Sequence, residues 1–119
     1  MSSFGEILKK VVDGTEGALG ALVVGLDGIP VDEYSVGSDL DIQSMTVEYS
    51  SLIKEIEKGS QTVNLGSTKE VTVIAEKAMV MLRRLTEEYF IVLIIKPDGN
   101  FGKGRFLLRM AVSKLLKEF

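Results

Sequence analysis

Histidine, cysteine and tryptophan are missing from this chain of 119 residues, and proline occurs only twice. Without cysteine there is no disulfide and no thiolate nucleophile, and without histidine there is no imidazole base or Cys/His zinc site. A carboxylate-only metal loop would need a D-x-D-x-D-G pattern, which does not occur. No metal or other cofactor and no catalytic residue is expected. No apolar run approaches the roughly 20 residues of a membrane-crossing helix. Residues 1–12 have no apolar stretch of signal-peptide length. No membrane insertion and a cytoplasmic location are therefore expected, and the missing thiols are compatible with a reducing compartment. Charge of one sign is also scarce. The 17 acids and 14 bases are interspersed and sum to −3, so no basic stripe invites a nucleic acid.

What is present suits a soluble globular chain: 45% hydrophobic and 26% charged residues, at a length that allows one core. A single domain spanning residues 1–119 is expected. Ser3-x-x-Glu6 can cap a first helix carrying Phe4, Ile7, Leu8 and Val11 and ending near Asp13-Gly14. "ALGALVVGL" (18–26) is almost continuously apolar and reads as a strand covered on both faces. Asp27-Gly28 suits a tight hairpin turn, and residues 29–35 return as a second strand with Pro30 at its start. Ser38, with Asp41 three residues on, marks the start of a middle helix over 40–58 that stops at Gly59. Three strands follow, at 69–75, 78–85 and 88–96, the first two joined only by Glu76-Lys77. Arg105–Phe119 reads as a closing helix with Leu108, Ala111, Val112, Leu115 and Phe119 on one face. The fold class is α+β in the order α-β-β-α-β-β-β-α: a five-stranded, mostly antiparallel sheet with helices packed on it.

The middle helix carries two readable faces. Ile42, Met45, Tyr49, Leu52 and Ile56 alternate three and four apart, with Ile53 beside them, and form the stripe expected to pack on the sheet. About half a turn away lie Leu40, Ser44, Val47, Ser51, Lys54 and Lys58. Two apolar and two small residues there suggest a contact surface rather than a purely solvated face.

Nothing else in the chain assembles chemistry. Asp32 and Glu33 are neighbours in a strand and point to opposite faces. Arg83 and Arg84 alternate likewise, one expected exposed and one at an edge or in a salt bridge. "KPDGNFGKGRF" (96–106) has the strand, glycine loop and helix layout of a phosphate cradle. Its glycines at 99, 102 and 104 fit neither G-x-x-x-x-G-K-[ST] nor G-x-G-x-x-G, and an antiparallel sheet is the wrong setting. The loop reads as a turn that ends the strand and swings into the last helix.

"GALGALVVGLDGIPVDEYS" (17–35) together with "FIVLIIKPDGNFGKGRFLLRMAVSKLLKEF" (90–119) resembles the roadblock / dynein light chain family, in its prokaryotic, MglB-like branch. The likeness rests on the glycine, apolar strand, Asp-Gly turn and second strand, on an Asn-x-Gly-x-x-Arg turn at Asn100, Gly102 and Arg105, and on the order of elements. It implies a profilin-like domain with helices on both faces of the sheet and no catalytic residues. Members of the family typically form homodimers by pairing edge strands and middle helices, and they regulate or scaffold small Ras-like GTPases. By that resemblance the contact surface is Leu40, Ser44, Val47, Ser51, Lys54 and Lys58 with the 69–75 strand, Val71 and Val73 included. The alternatives are a structural adaptor in a motor or signalling complex and, further off, a small-ligand sensor or enzyme.

Overall fold

The computed structural model describes residues 3–37 and 39–119. Its elements are α1 (Ser3–Asp13), β1 (Ala18–Gly25), β2 (Pro30–Ser35), α2 (Ile42–Thr62), β3 (Glu70–Ile74), β4 (Met79–Arg84), β5 (Tyr89–Ile95) and α3 (Phe101–Leu116). The order is the expected one. The strands form one antiparallel sheet in the sequence β2-β1-β5-β4-β3. The two continuously apolar runs, β1 and β5, pair with each other away from the edges. That is where a strand buried on both faces belongs.

Alternation divides the strand side chains between two layers. Ala21, Val23, Met81, Ile91, Leu93 and Ile95 face α1 and α3, which contribute Leu8, Val11, Val12, Leu108, Ala111 and Leu115 to that layer. Leu22, Val24, Val80, Leu82, Phe90, Val92 and Ile94 face the other way, toward α2 and its Ile53. Phe119 lies beyond α3 and stacks its ring 5.3 Å from Phe4 and 5.0 Å from Tyr89.

The Asp27-Gly28 turn forms as expected. Gly28 has φ +84°, the Asp27 carboxylate accepts from the Ile29 amide at 2.9 Å, and Pro30 opens the edge strand β2. Residues 75–78 close the β3–β4 hairpin, with the Ala75 amide donating to the Ala78 carbonyl.

Both ends of α2 and of α3 differ from expectation. The Ser3 side chain and Ser38, on which two expected helix starts rest, lie outside the described residues. α2 begins at Ile42, where the Asp41 carboxylate caps it by accepting from the Ser44 amide at 3.1 Å and the Ser44 hydroxyl at 2.7 Å. It then runs through Gly59 and ends in a Schellman motif, with Asn64 at φ 62° and the Leu65 amide donating to the Ser60 carbonyl. α3 starts at Phe101 instead of Arg105, because Asn100 caps it by accepting from the Lys103 amide at 3.0 Å. Gly104 is thus inside the helix and buried. A methyl group there would meet Ile95 Cδ1 at 2.8 Å and Leu93 Cδ2 at 3.1 Å, so its value is close packing rather than a bend.

Candidate partner-binding surface

α2 meets the sheet through an unusual side. Its buried residues are Thr46, Ser50 and Ile53, on the face that Glu57 continues at helical spacing. The apolar stripe expected to lie flat on the sheet is rotated off it. Met45, Tyr49 and Ile56 are half-buried and Leu52 is 42% exposed. Their flank is opposite Val47, whose side chain lies against the Gly28 turn between β1 and β2. The stripe therefore looks toward β4 and β3. Val71 and Val73 on β3 are also half-buried and pack against the same apolar layer as Met45 and Tyr49. An apolar shoulder of α2 and the apolar margin of the sheet thus border the same half-covered apolar layer.

That layer reaches a sheet edge, β3, with free backbone groups. The Arg84 amide donates to the Lys69 carbonyl and the Ala75 amide to that of Ala78. By the two-residue alternation of an antiparallel ladder, the N–H and C=O groups of Glu70, Thr72 and Ile74 face outward. Ile74 is 72% exposed. The opposite edge is defended: Pro30 has no N–H, the ladder is bulged between Val23 and Val24, and the Asp32 carboxylate accepts from the Glu33 amide at 2.8 Å. One edge is blunted in the manner of strands that avoid partners, and the other is not.

Ion pairs pin the helices beside the open edge. Glu57 of α2 accepts from the Thr68 amide and from Arg84, both at 2.7 Å. The same Arg84 donates to the carbonyls of Thr68, Thr86 and Glu87, and its guanidinium lies 5.0 Å from the Phe90 ring centre. The Thr68 amide chiefly, then Gln61, the Thr68 side chain and Arg84, hold the Glu57 carboxyl at about 2, against the opposing pull of burial. On the other face Glu70 receives Arg83 and Arg105, each at 2.8 Å. Both arginines of the Arg83-Arg84 pair are therefore in salt bridges, and neither is the freely exposed one expected. Arg105, part of the family-like turn pattern, ties α3 to β3.

The expected contact residues divide. Ser44, Val47, Ser51, Lys54 and Lys58 are exposed on α2; Val47 is 54% exposed and Ser44 is engaged by the Asp41 cap. Leu40 precedes the helix and is half-buried against the α2-side layer, so it does not share the outer helix face with the others. Val71 and Val73 turn their side chains toward the α2-side layer, so β3 offers its backbone outward. Met45, Tyr49, Leu52 and Ile56 were assigned to the core from their spacing. Their large side chains set against Thr46 and Ser50 were the one available signal that the helix is rolled. Among the described residues no three acidic side chains gather as metal ligands, and no helix is long and apolar enough to cross a membrane.

No protein-family model matches the chain, and no curated protein matches it significantly. Solved structures do. The chain is 38% identical to MglC from Myxococcus xanthus, with 99% of this chain and 100% of that one covered and a TM-score of 0.72. MglB from Myxococcus xanthus is 12% identical over 100% of this chain and 96% of its own, at a TM-score of 0.88. A roadblock/LC7 domain from Streptomyces avermitilis is 12% identical over 98% of both chains, at 0.86. With the element order, the sheet and the identity to MglC agreeing over the whole length, the chain belongs to the roadblock / dynein light chain (LC7) family, among its MglB- and MglC-like members.

Proposed function

We propose that this chain is a non-catalytic cytoplasmic regulator or scaffold that works as a homodimer and binds a small Ras-like GTPase. The observation that carries the reading is the juxtaposition of an unprotected β3 edge with the half-open apolar flank of α2. A second copy related by a two-fold axis would cover both at once, strand against strand and helix against helix. Met45, Tyr49, Leu52, Ile56, Val71 and Val73 then form the dimer contact. The outer residues Ser44, Val47, Ser51, Lys54 and Lys58 remain free on both copies to receive the GTPase, whose own site holds the nucleotide.

Sedimentation of the whole chain tests the first half: a dimer at micromolar concentration, and a monomer for Ile56→Glu with its helical content kept. A wild-type monomer at that concentration removes the reading. The second half is tested by titrating a co-encoded Ras-like GTPase, loaded with GTP analogue or GDP, into the dimer. Val47→Glu and Ser51→Arg should abolish binding while the dimer persists. A dimer that ignores both nucleotide states and co-purifies with motor or scaffold subunits would establish the adaptor reading instead.

A further inference from the structure

Arg83, Arg84 and Arg105 around β3 all have acidic partners, but the cations on the outer side of α3 do not. Lys103, Arg109, Lys114 and Lys117, and Lys10 on α1, are exposed, with no ion-pair partner among the described residues. No acid interrupts Phe101–Leu116, so α3 is a block of positive charge on a chain whose net charge is −3. Phe106 and Met110 stand within that block, one helical turn apart, 56% and 51% exposed. The Lys103 ammonium lies 5.9 Å from the Phe106 ring centre. Beside Met110 the surface dips into a cavity of about 100 Å³ between α1 and α3. Ile7, Val11, Leu107 and Met110 line it, with Lys10 and Lys114 among its charged neighbours and Glu6 the opposing acid.

We propose that this face is a second docking surface, for an acidic amphipathic helix of another protein. One aliphatic side chain of that helix fills the α1–α3 cavity, a second lies across Phe106, and flanking carboxylates meet Lys10, Lys103 and Lys114. The chemistry follows from charge complementarity around an apolar centre, the arrangement in which apolar anchors supply affinity and rim charges supply rate and orientation. A concave site for a single side chain fits a protein segment. A bilayer would call for a continuous apolar strip, and a phosphate backbone would leave Phe106 and Met110 without a role. The surface is separate from the α2 flank and the β3 edge, so it stands or falls independently of the dimer.

The probe is a synthetic helix with leucines at i, i+3, i+4 and i+7 and glutamates at its other positions, titrated into the whole chain. Amide shifts should centre on α1 and α3. Binding should weaken at least about tenfold in Met110→Glu and in Lys114→Glu, and on raising the salt until the Debye length falls to about 3 Å. The same helix with lysine for every glutamate should not bind. Shifts confined to α2, equal binding of the two helices, or no binding would overturn the proposal. So would attachment to phosphatidylserine vesicles without peptide binding, which would make the face a membrane contact. A fall in oligomer size on Met110→Glu without peptide would also overturn it, assigning the face to a second copy.

Discussion

Between them α1 and α3 bury five large apolar residues against the sheet, whereas α2 buries one. The first two helices bury Leu8, Val11, Val12, Leu108 and Leu115 against one face. α2, the longest helix of the described residues, buries only Ile53 fully among its large apolar residues, on one face with the small Thr46 and Ser50. Its remaining apolar side chains sit on a flank beside half-covered valines of β3. One face is thus finished within the chain, and the other keeps apolar surface at its margin. The contrast separates residues that hold the fold from residues available for association.

The largest effect should come from the finished face. Leu93→Ala removes a wholly buried side chain and should cost roughly 2–5 kcal/mol in denaturant melts. Leu52→Ala on the rolled flank should cost no more than about 0.5 kcal/mol where the chain is monomeric. Equal costs would erase the distinction between the faces. If the flank is an association surface, the wild-type melting temperature should rise with protein concentration, and that dependence should vanish in Leu52→Ala.

A second, smaller effect concerns what keeps α2 rolled. The Glu57 carboxyl is held at about 2, below an ordinary value of 4.5. A depressed carboxyl contributes stability that is fully present above the unfolded value and lost as pH falls through the folded one. The loss should therefore fall between pH 4.5 and 2. Glu57→Gln should be less stable at neutral pH and show a flatter decline across that window. Arg84→Met, which removes one of the donors to Glu57 and the side-chain donor to three carbonyls, should cost about 1–3 kcal/mol. A wild-type acid limb no steeper than that of the Gln variant would show that this clamp does not hold the helix.

Much of the fold could be read in advance because the signals were local. Two apolar runs announced the central strands, Asp27-Gly28 announced a hairpin, and Glu76-Lys77 left no room for anything but another. Asp13-Gly14 did end α1, but two helix ends were misplaced where Gly59 and Gly104 were read as lying outside their helices. A glycine inside a helix costs only about 1 kcal/mol relative to alanine. Gly59 is outweighed by the turn that follows it, and Gly104 is required by the closeness of Ile95 and Leu93. The roll of α2 was hidden for a different reason. Periodicity identifies the apolar side of a helix without saying what covers it, and the partners that set the angle, Thr68 and Arg84, lie 11 and 27 residues from Glu57. The open β3 edge was marked only by the family likeness, since an edge depends on strand order.

The smallest effect returns to the loop before α3, and it tests whether the finished face depends on its helix start. Asn100 lies at a crossing point. Its side chain caps α3 through the Lys103 amide, while its own amide donates to the Glu16 carbonyl at 2.8 Å. Beside it Gly99 packs so closely on Gly17 that a methyl group on Gly17 would come within 2.6 Å of the Gly99 Cα. Asn100→Ala removes the cap and leaves the backbone bond, so it should cost about 1 kcal/mol. Asn100→Asp, which keeps an acceptor where the helix dipole favours negative charge, should restore most of that loss. Because α3 packs only on the finished face, neither variant should alter self-association. A change in oligomer size with Asn100→Ala would mean that the two faces are coupled through the sheet.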